Sequence, residues 1–323
     1  MKALVCACAV GALSLLSANA PAQQAQQFPG KPIRFVVPYP PGGGTDGVGR
    51  IVSQQLTSAF GQQTFVDNKS GGQGILGVRY VATSAPDGYT LILADTGNFA
   101  VAPWTTKDLG YHPLRDFAFV SSASSQGYLI VAHPSVQVRT LKELVAVAKA
   151  RPGALSFGST SQANQLAGEY LNMLAGINIL HVPYKGAGPA ITDLLGGQIS
   201  LSFGSAAGTA PHVRTGKLNA LAITSTTRAS NLPEVPTAQE AGFPDLVVTS
   251  WYGVAAPAKT PADIVAKLNI NIVQALRQPE VIAQISKFGL TAEGSSPEEF
   301  TRYVKAEYER WGIVIDKVGM GAK

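Results

Sequence analysis

The chain contains two cysteines, Cys6 and Cys8, and both lie within its first 22 residues. A protein that begins after residue 22 therefore has no thiol for a disulfide bond, a thiolate metal site or a cysteine nucleophile. Charge is also scarce, at 14% of residues, and no run of Lys or Arg marks a nucleic-acid-binding patch. We therefore expect neither a bound metal nor a nucleic-acid partner.

Catalytic motifs are missing as well. The sequence has no G-x-S-x-G nucleophile elbow and no H-E-x-x-H zinc motif. Its four histidines, His112, His133, His181 and His212, are isolated, and we interpret each as structural. A hydrolase of a carboxylate ester stays open as the enzymatic alternative, although it needs a nucleophile, a base and an orienting group that no motif supplies. We expect a protein that is not an enzyme and that has no cofactor.

Residues 1–22 have the layout of a secretory signal peptide. Lys2 gives a charged start, residues 3–16 are apolar, and Ala20-Pro21-Ala22 is a small-residue cleavage site before Gln23. The apolar run is shorter than the ~20 residues that span a bilayer, so a retained membrane anchor is the weaker alternative. Loss of Lys2 lowers the formal net charge of +5 by one, and the remaining positive excess is mild.

The remaining chain of about 300 residues has the length of two domains. Strand-like apolar runs alternate with helical patterns, which indicates βαβ units, a mostly parallel sheet and an α/β fold. We predict strands at 33–37, 64–66, 89–94, 127–132, 155–157, 181–184, 199–203 and 218–224. We predict helices at 47–60, 74–85, 140–150, 164–175, 189–195, 262–277, 279–288 and 297–318.

Three of these helices begin with recognisable capping sequences. Thr140 with Glu143, and Ser296 with Glu299, have the spacing of a capping box. Thr260 precedes Pro261, which predicts Thr260 as the N-cap and proline as the first helical residue.

Three loops follow the carboxyl ends of predicted strands, where open α/β sheets bind ligands. The loop at 38–47 is rich in glycine and leads into a helix N-terminus, which attracts anions through unpaired N–H groups. The loop at 157–165 is rich in hydroxyl and amide groups, and the third loop covers 94–99. The structural alternatives are a glycine-rich turn at the first loop and ordinary N-capping by Ser161 or Asn164 at the second.

The first loop also matches the dinucleotide fingerprint G-x-G-x-x-G through Gly42, Gly44 and Gly47, with Asp67 further on. We reject this interpretation because residues 38–41 (PYPP) separate the strand from the first glycine. In that fingerprint the first glycine makes a tight turn directly after the strand. An exported protein is also separated from soluble nicotinamide cofactors.

Four segments together resemble the signature of Bug-type receptors, the periplasmic solute-binding proteins of tripartite tricarboxylate transporters. They are residues 38–46 (PYPPGGGTD), 111–117 (YHPLRDF), 181–186 (HVPYKG) and 232–244 (LPEVPTAQEAGFP). The resemblance implies a periplasmic protein with the type II-like flytrap fold, in which two α/β lobes joined by crossing strands close on a ligand cleft. Lobe one would comprise residues 28–125 and 251–323, and lobe two residues 126–250.

The resemblance also implies a set of ligand-binding residues. These are Tyr39, Gly43, Gly44, Thr45 and Asp46 in the first loop, Thr96 and Asn98 after the third strand, and Ser159, Thr160 and Ser161 in lobe two. The chain departs from the family pattern where Gln162, Asn164 and Gln165 replace a glycine-rich stretch with a histidine, and where Ser205 replaces an aspartate. Gln165 and Ser205 therefore complete the predicted site, and the loss of ionisable groups favours a less polar or aromatic distal end of the ligand.

The expected ligand is a small carboxylate: a di- or tricarboxylate, an acidic amino acid or an aromatic acid. We expect the protein to be a monomer that passes its ligand to the membrane components of a tripartite transporter. The sequence leaves open which carboxylate binds, and whether the receptor serves uptake or sensing.

Overall fold

The computed structural model describes residues 28–42, 44–184, 186–229 and 231–322. The predicted signal peptide and its cleavage site lie outside these ranges. The strands are β1 (Ile33–Val37), β2 (Thr64–Asn68), β3 (Thr90–Asp95), β4 (Phe117–Ala132), β5 (Ser156–Ser159), β6 (Leu180–Pro183), β7 (Leu201–Ser205), β8 (Asn219–Ile223), β9 (Thr249–Pro257) and β10 (Thr291–Ala292).

The helices connect these strands and follow the last long one. They are α1 (Gly44–Phe60), α2 (Ile75–Ala82), α3 (Ala102–Thr105), α4 (Leu141–Ala150), α5 (Gln162–Ala175), α6 (Ala187–Leu195), α7 (Ala206–Arg214), α8 (Ala262–Leu276), α9 (Pro279–Ser286) and α10 (Pro297–Lys317). No helix in the described ranges is both long enough and apolar enough to cross a membrane.

Two half-sheets share the long strand β4. The first half-sheet has the order β2-β1-β3-β9-β4-β10, and the second has the order β8-β4-β7-β5-β6. Residues from Phe117 to Gly127 of β4 pair with β9, whereas Tyr128 to Ala132 pair with β7 and β8. The outer strands β1, β2, β3, β5, β6 and β7 pair in parallel, as predicted. The expectation of a mostly parallel sheet is wrong at the centre, where β4 and β9 run antiparallel to their neighbours.

Helices cover both faces of the first half-sheet. The inward stripe of α1, which includes Val48, Val52 and Leu56, packs on one face together with α8 and α9. The other face is covered by α2 and α10, where Phe300 and Val304 are buried against Trp251 of β9. Burial of apolar side chains of this size contributes about 1.5–3 kcal/mol each, so the two layers hold the half-sheet rigidly.

The second half-sheet is built in the same way. Helices α4 and α5 cover one face around Phe157 and Phe203, and α6 and α7 cover the other. The end of α10 reaches this half, since Trp311 packs against Tyr170 of α5 with ring centroids 5.8 Å apart. The last helix therefore belongs to the packing of both halves.

Each predicted strand and helix has a counterpart whose ends agree to within about three residues, except that β4 begins ten residues earlier than predicted. The capping boxes of Thr140 with Glu143 and Ser296 with Glu299 are confirmed. The predicted N-cap at Thr260 is wrong: Pro261 is the N-cap of α8, and the Thr260 hydroxyl donates to Pro257 O at 2.7 Å.

The sequence patterns missed the first part of β4 and all of α3, α7, β9 and β10. The missed part of β4 is rich in serine, and Ser121, Ser122 and Ser124 are nevertheless buried. Two of these serines bind the loop before α10: Ser121 Oγ donates to Ser295 O at 3.1 Å, and Ser122 N donates to Ser295 Oγ at 3.1 Å. Buried hydroxyl groups that are hydrogen-bonded in this way are compatible with the interior of a sheet, although a serine-rich sequence is typical of a loop.

We predict that Gly168→Ala destabilises the fold although it removes a helical glycine. A Cβ at Gly168 would lie 2.3 Å from Cε2 of Phe157, so α5 and β5 would have to move apart. Overpacking of this kind costs about 1–3 kcal/mol. The matched control is Gly188→Ala in α6, where a Cβ meets nothing within 4 Å and alanine should stabilise by about 0.5–1 kcal/mol. Urea unfolding measures both changes, and a Gly168→Ala variant as stable as the control would contradict this packing.

Candidate functional site

A cavity of about 450 Å³ lies between the two half-sheets, against the strands that cross between them. The first half contributes loops after β1 and β3, the second half contributes the loop after β5, and β4 and β9 form the floor. The lining residues are Tyr39, Thr45, Gln73, Ile75, Asp95, Gly97, Asn98, Ala102, Thr106, Tyr128, Thr160, Ser161, Gln162, Ala163, Ser250 and Tyr252.

A buried carboxylate organises the first-half wall of the cavity. Asp95 is 4% exposed, and its Oδ1 accepts hydrogen bonds from Tyr39 Oη and from the backbone N–H of Asn98, both at 3.1 Å. Asn98 Nδ2 donates to Asp95 Oδ2 and to Tyr39 Oη, both at 2.9 Å. The Asn98 carbonyl accepts from Tyr111 Oη at 2.7 Å. Every polar atom of the Asn98 backbone and side-chain amine is therefore oriented from within the protein.

Burial governs the protonation of this cluster. Burial raises the pKa of Asp95 above its usual value, while the hydrogen bonds from Asn98 and Tyr39 act to lower it. Burial, followed by the nearby Asp95 charge, raises the pKa of Tyr39 well above its usual value, so this hydroxyl stays protonated and donates to Asp95. Burial also raises the pKa of Tyr128 and Tyr252, which leaves neutral phenols on the floor of the cavity.

Three helices begin at this cavity. Thr45 lies in the first turn of α1, Ile75 is the first residue of α2, and Gln162 is the first residue of α5. The first N–H groups of a helix have no partner inside the helix, and together they carry a partial positive charge. At α2 these groups are already engaged, since Ile75 N donates to Gly72 O and Leu76 N donates to Gly71 O. The wall is therefore suited to an anion at the starts of α1 and α5.

In the loop of the second half, the Asn164 side chain engages most of the polar groups. Asn164 Oδ1 accepts from Thr160 N at 3.1 Å and from Ser161 N at 2.9 Å, which occupies both amides. Ser161 caps α5 by accepting from Asn164 N, so the alternative of ordinary N-capping by Ser161 is confirmed. The Ser161 hydroxyl also donates to Asn164 Oδ1 at 3.1 Å. What remains for a ligand is the Thr160 hydroxyl, together with the first-turn N–H groups at Gln162 and Ala163.

The lining combines polar groups without a basic side chain. None of the lining residues within the described ranges is Lys, Arg or His. Hydroxyls and amides alternate with Ile75, Ala102, Ala163 and the tyrosine rings, so one ligand can meet both apolar and hydrogen-bonding surface. Across the cavity, Gln162 Nε2 donates to Thr105 Oγ1 at 3.4 Å, which links the two halves directly.

The structure brings five of the predicted site residues to the cavity wall: Tyr39, Thr45, Asn98, Thr160 and Ser161. The others within the described ranges, Gly44, Asp46, Thr96, Ser159, Gln165 and Ser205, lie outside the lining. Gly43 lies outside the described residues. A Cβ at Gly44 would meet nothing within 4 Å, so close packing does not require glycine there.

Two of the outlying residues support the first-half wall from behind. Asp46 accepts from Gly42 N and Asn68 Nδ2, both at 3.0 Å, and from Arg50 Nε at 2.8 Å, which ties the first loop to β2. Burial acts to raise the pKa of Asp46, but the hydrogen bonds from Arg50, Asn68 and Gly42 outweigh it and the pKa is lowered. The Thr96 hydroxyl accepts from Trp251 N at 2.8 Å and so attaches the third loop to β9.

Two predicted site residues that lie outside the lining, both serines, form hydrogen bonds within the second half. Ser159 Oγ lies 2.6 Å from His181 Nε2, and burial lowers the pKa of His181 below its usual value. Although a Ser–His pair can begin a nucleophilic site, neither side chain lines the cavity. Ser205 is the N-cap of α7 and accepts from Gly208 N at 3.2 Å, so it does not shape the distal wall.

Sequence patterns missed the floor of the cavity. Tyr128, Ser250 and Tyr252 lie on the crossing strands, and Gln73 lies just before α2. Asp95 lies within the predicted third loop but is not among the predicted site residues. A polar or aromatic residue within an otherwise apolar strand, as at Tyr252, is the available sequence signal. Within residues 28–42, 44–184, 186–229 and 231–322, no cluster of three His, Cys, Asp or Glu side chains could hold a metal ion.

Comparison with known proteins places this cavity in a family context. The family model described as "Tripartite tricarboxylate transporter family receptor" matches residues 48–320. Protein BugT of Bordetella pertussis is 34% identical over 302 residues, which cover 93% of this chain and 93% of BugT.

Two solved structures from Rhodopseudomonas palustris share the architecture. Rpa4515 with adipate is 31% identical, has a TM-score of 0.78, and aligns over 92% of this chain and 100% of its own. MatC with bound malate is 31% identical, has a TM-score of 0.73, and aligns over 89% and 100% of the two chains. The predicted two-lobe fold of periplasmic binding proteins is thereby confirmed.

The ordinary pKa of an aspartate is 3.8, and the pKa of Asp95 in the folded protein is raised above it. We predict that the Asp95 carboxyl makes folding less favourable as the pH rises from 3.8 through this raised pKa. The folded protein binds this proton more tightly than the unfolded chain, so protonation favours the folded state. The free energy of unfolding of the wild type, relative to Asp95→Asn, should therefore fall as the pH increases through this window. Urea unfolding across the acidic range measures the difference.

Asp46→Asn is the control with the opposite sign. The pKa of Asp46 is lowered from the ordinary value of 3.8, so its carboxyl should stabilise the folded protein at a pH above 3.8. This contribution should be lost as the pH falls through the lowered pKa. Equal slopes for the two variants would show that burial does not dominate at Asp95.

Proposed function

Since this chain belongs to the tripartite tricarboxylate transporter receptor family, we propose that its cavity binds a small carboxylate whose distal end is uncharged. As a member it is a solute-binding receptor and not an enzyme. The observation that carries the proposal is the cavity wall itself: the N-termini of α1 and α5 and several hydroxyl and amide groups, without a basic side chain among the described lining residues.

The wall explains how an anion is held without a cation. A carboxylate that leaves water needs hydrogen bonds to offset its lost solvation. First-turn N–H groups of α1 supply donors, and the Thr45 hydroxyl, which donates to Tyr252 Oη at 3.2 Å, can turn to supply another. Charge-assisted bonds of this kind contribute about 1.5–3 kcal/mol each. The Asp95 charge is already engaged by Tyr39 and Asn98, which limits its repulsion of the ligand.

The ligands of the two relatives set the size class. Adipate and malate are both dicarboxylates, and they are bound by the R. palustris proteins. In this chain the distal wall offers Thr160, Ser161 and Gln162 and no cation. A second carboxylate would therefore be desolvated with less compensation than an amide or hydroxyl group of similar size.

Two further parts of the proposal concern organisation. We place the lobe boundaries at 28–125 with 251–323 and at 126–250, which is supported by the change of β4 partners between Gly127 and Tyr128. We also propose that the receptor is a monomer in the periplasm that passes its ligand to the membrane components of a tripartite transporter.

The ligand class is tested with two probes of the same length, adipate and its monoamide adipamate. We expect adipamate to bind at least as tightly as adipate, because only one of its ends needs the donors that surround an anion. Isothermal titration calorimetry measures both affinities, with hexane-1,6-diol as the uncharged control that should not bind. Binding of the diol at equal affinity, or of neither acid, would contradict the proposal.

The Thr45→Val variant tests whether the anion binds within this cavity. The near-isosteric change removes a hydroxyl at the start of α1, and the loss of one bond to a charged group should weaken acid binding by roughly tenfold. Thr192→Val in α6, where the hydroxyl bonds only to Gly188 O, is the matched control and should bind normally. Equal affinities of the two variants would place the acid elsewhere.

The location is tested at the N-terminus. Mass spectrometry of protein from a periplasmic extract should find a chain that begins near Gln23, because Ala20-Pro21-Ala22 fits signal peptidase cleavage. An intact Met1 on the exported protein would contradict the predicted signal peptide.

A further inference from the structure

A second cavity of about 450 Å³ lies on the other face of the crossing strands. Successive residues of a strand point to opposite faces. Along β9, Ser250 and Tyr252 line the candidate site, whereas Thr249 lines the second cavity. Along β4, Tyr128 lines the candidate site and Gly127 lines the second cavity. The remaining walls come from the loop after β8 on one side and from β10 and α10 on the other.

The cations in the wall of this second cavity are engaged inside the protein. Arg310 donates to Glu307 Oε1 at 2.6 Å and to Val247 O at 2.5 Å. Arg228 donates to Glu240 Oε2 at 2.8 Å. These pairs leave little positive charge for an anionic ligand, in contrast to the helix N-termini of the candidate site.

One acidic group of the same wall, Glu293, is less completely paired than Glu307 and Glu299. Among the described residues, Glu293 accepts a hydrogen bond only from the Ser125 hydroxyl and has no ion pair within 4.0 Å. Burial raises the pKa of Glu293, which is the signature of a carboxyl without a counter-charge. Beside it, the Tyr303 ring is 37% exposed and provides aromatic surface, whereas Leu290 and Phe300 lie buried behind the wall.

We propose that this cavity is a second binding site, selective for a small organic cation. The ammonium group lies at the Glu293 carboxylate, where it supplies the missing counter-charge. A short apolar body packs against the exposed ring of Tyr303, and the ring face attracts the cation further.

The second cavity lies behind β4 and β9, the strands that cross between the two halves, and this position couples the two sites. Both cavities have walls from both halves, and they lie on opposite faces of the same strands, so a rotation about these strands that widens one narrows the other. In this arrangement, where Gln162 links the halves, each cavity has about 450 Å³. A cation that fills the second cavity therefore favours this arrangement and tightens carboxylate binding, and the effect is reciprocal. The coupling, unlike the second site itself, rests on the proposed carboxylate function.

The direct test uses n-butylammonium as the probe and 1-butanol as its uncharged analogue, without any carboxylate present. We expect n-butylammonium to bind and Glu293→Gln to weaken it by about tenfold or more, as the loss of a charged partner does. Glu298→Gln is the matched control, because Glu298 is exposed on α10 and lies outside the wall. Calorimetry measures binding, and circular dichroism confirms that each variant is folded.

Equal binding of the amine and the alcohol, no binding of the amine, or an equal loss in both variants would overturn the second site. If Glu293→Gln does not fold, the comparison of amine and alcohol on the wild type decides. Coupling is measured as the adipamate affinity with and without saturating n-butylammonium, and an unchanged affinity would overturn it. Amine binding in a protein that binds no carboxylate would reject the proposed function and leave the second site standing.

Discussion

The antiparallel pairing of β4 with β9 is the interaction on which the rest of the structure depends. β4 is shared by both half-sheets, and β9 fills the position between β3 and β4, so the two strands fix where the halves meet. Their packing leaves no room for variation at Gly253, where a Cβ would lie 2.1 Å from Cζ of Phe300. The close approach seats α10 against the strands, and α10 then reaches the second half through Trp311.

The chemistry of the cavity follows from the topology. Parallel strands on each side end at the same edge, so the loops after β1, β3 and β5 and the helices that follow them converge on one space. The buried Asp95 is compatible with an anion site because its oxygens are turned toward Tyr39 and Asn98, whose positions it fixes. Asp95 lines the cavity but is satisfied within this network, so the unpaired N–H groups at the helix N-termini are left to hold an anion.

The sequence contained the local part of this arrangement. Helix starts with a capping box, such as Thr140 and Ser296, and apolar strands such as β1 depend on neighbouring residues alone, and they were predictable for that reason. The crossing strands were not, because the serines of β4 are stabilised by Ser295, a residue far away in the chain. The floor residues Tyr128 and Tyr252 were missed with the strands that carry them. Asn164 shows a further limit: its side chain occupies the amides of Thr160 and Ser161, a competition that a list of donors in a loop does not reveal.

The order of strands in the first half-sheet also has a consequence for how the chain reaches its folded state. β9 lies between β3 and β4, although it is formed from residues 249–257, more than a hundred residues after β4 begins. Until that segment is available, the facing edges of β3 and β4 have no partner, and α10 has no surface to seat its Phe300. Pairings over such separations form slowly, and open edges invite association with other chains. A nascent chain of this topology thus remains short of a stable fold until most of it has been synthesised, a delay that suits proteins which leave the cytoplasm before they fold.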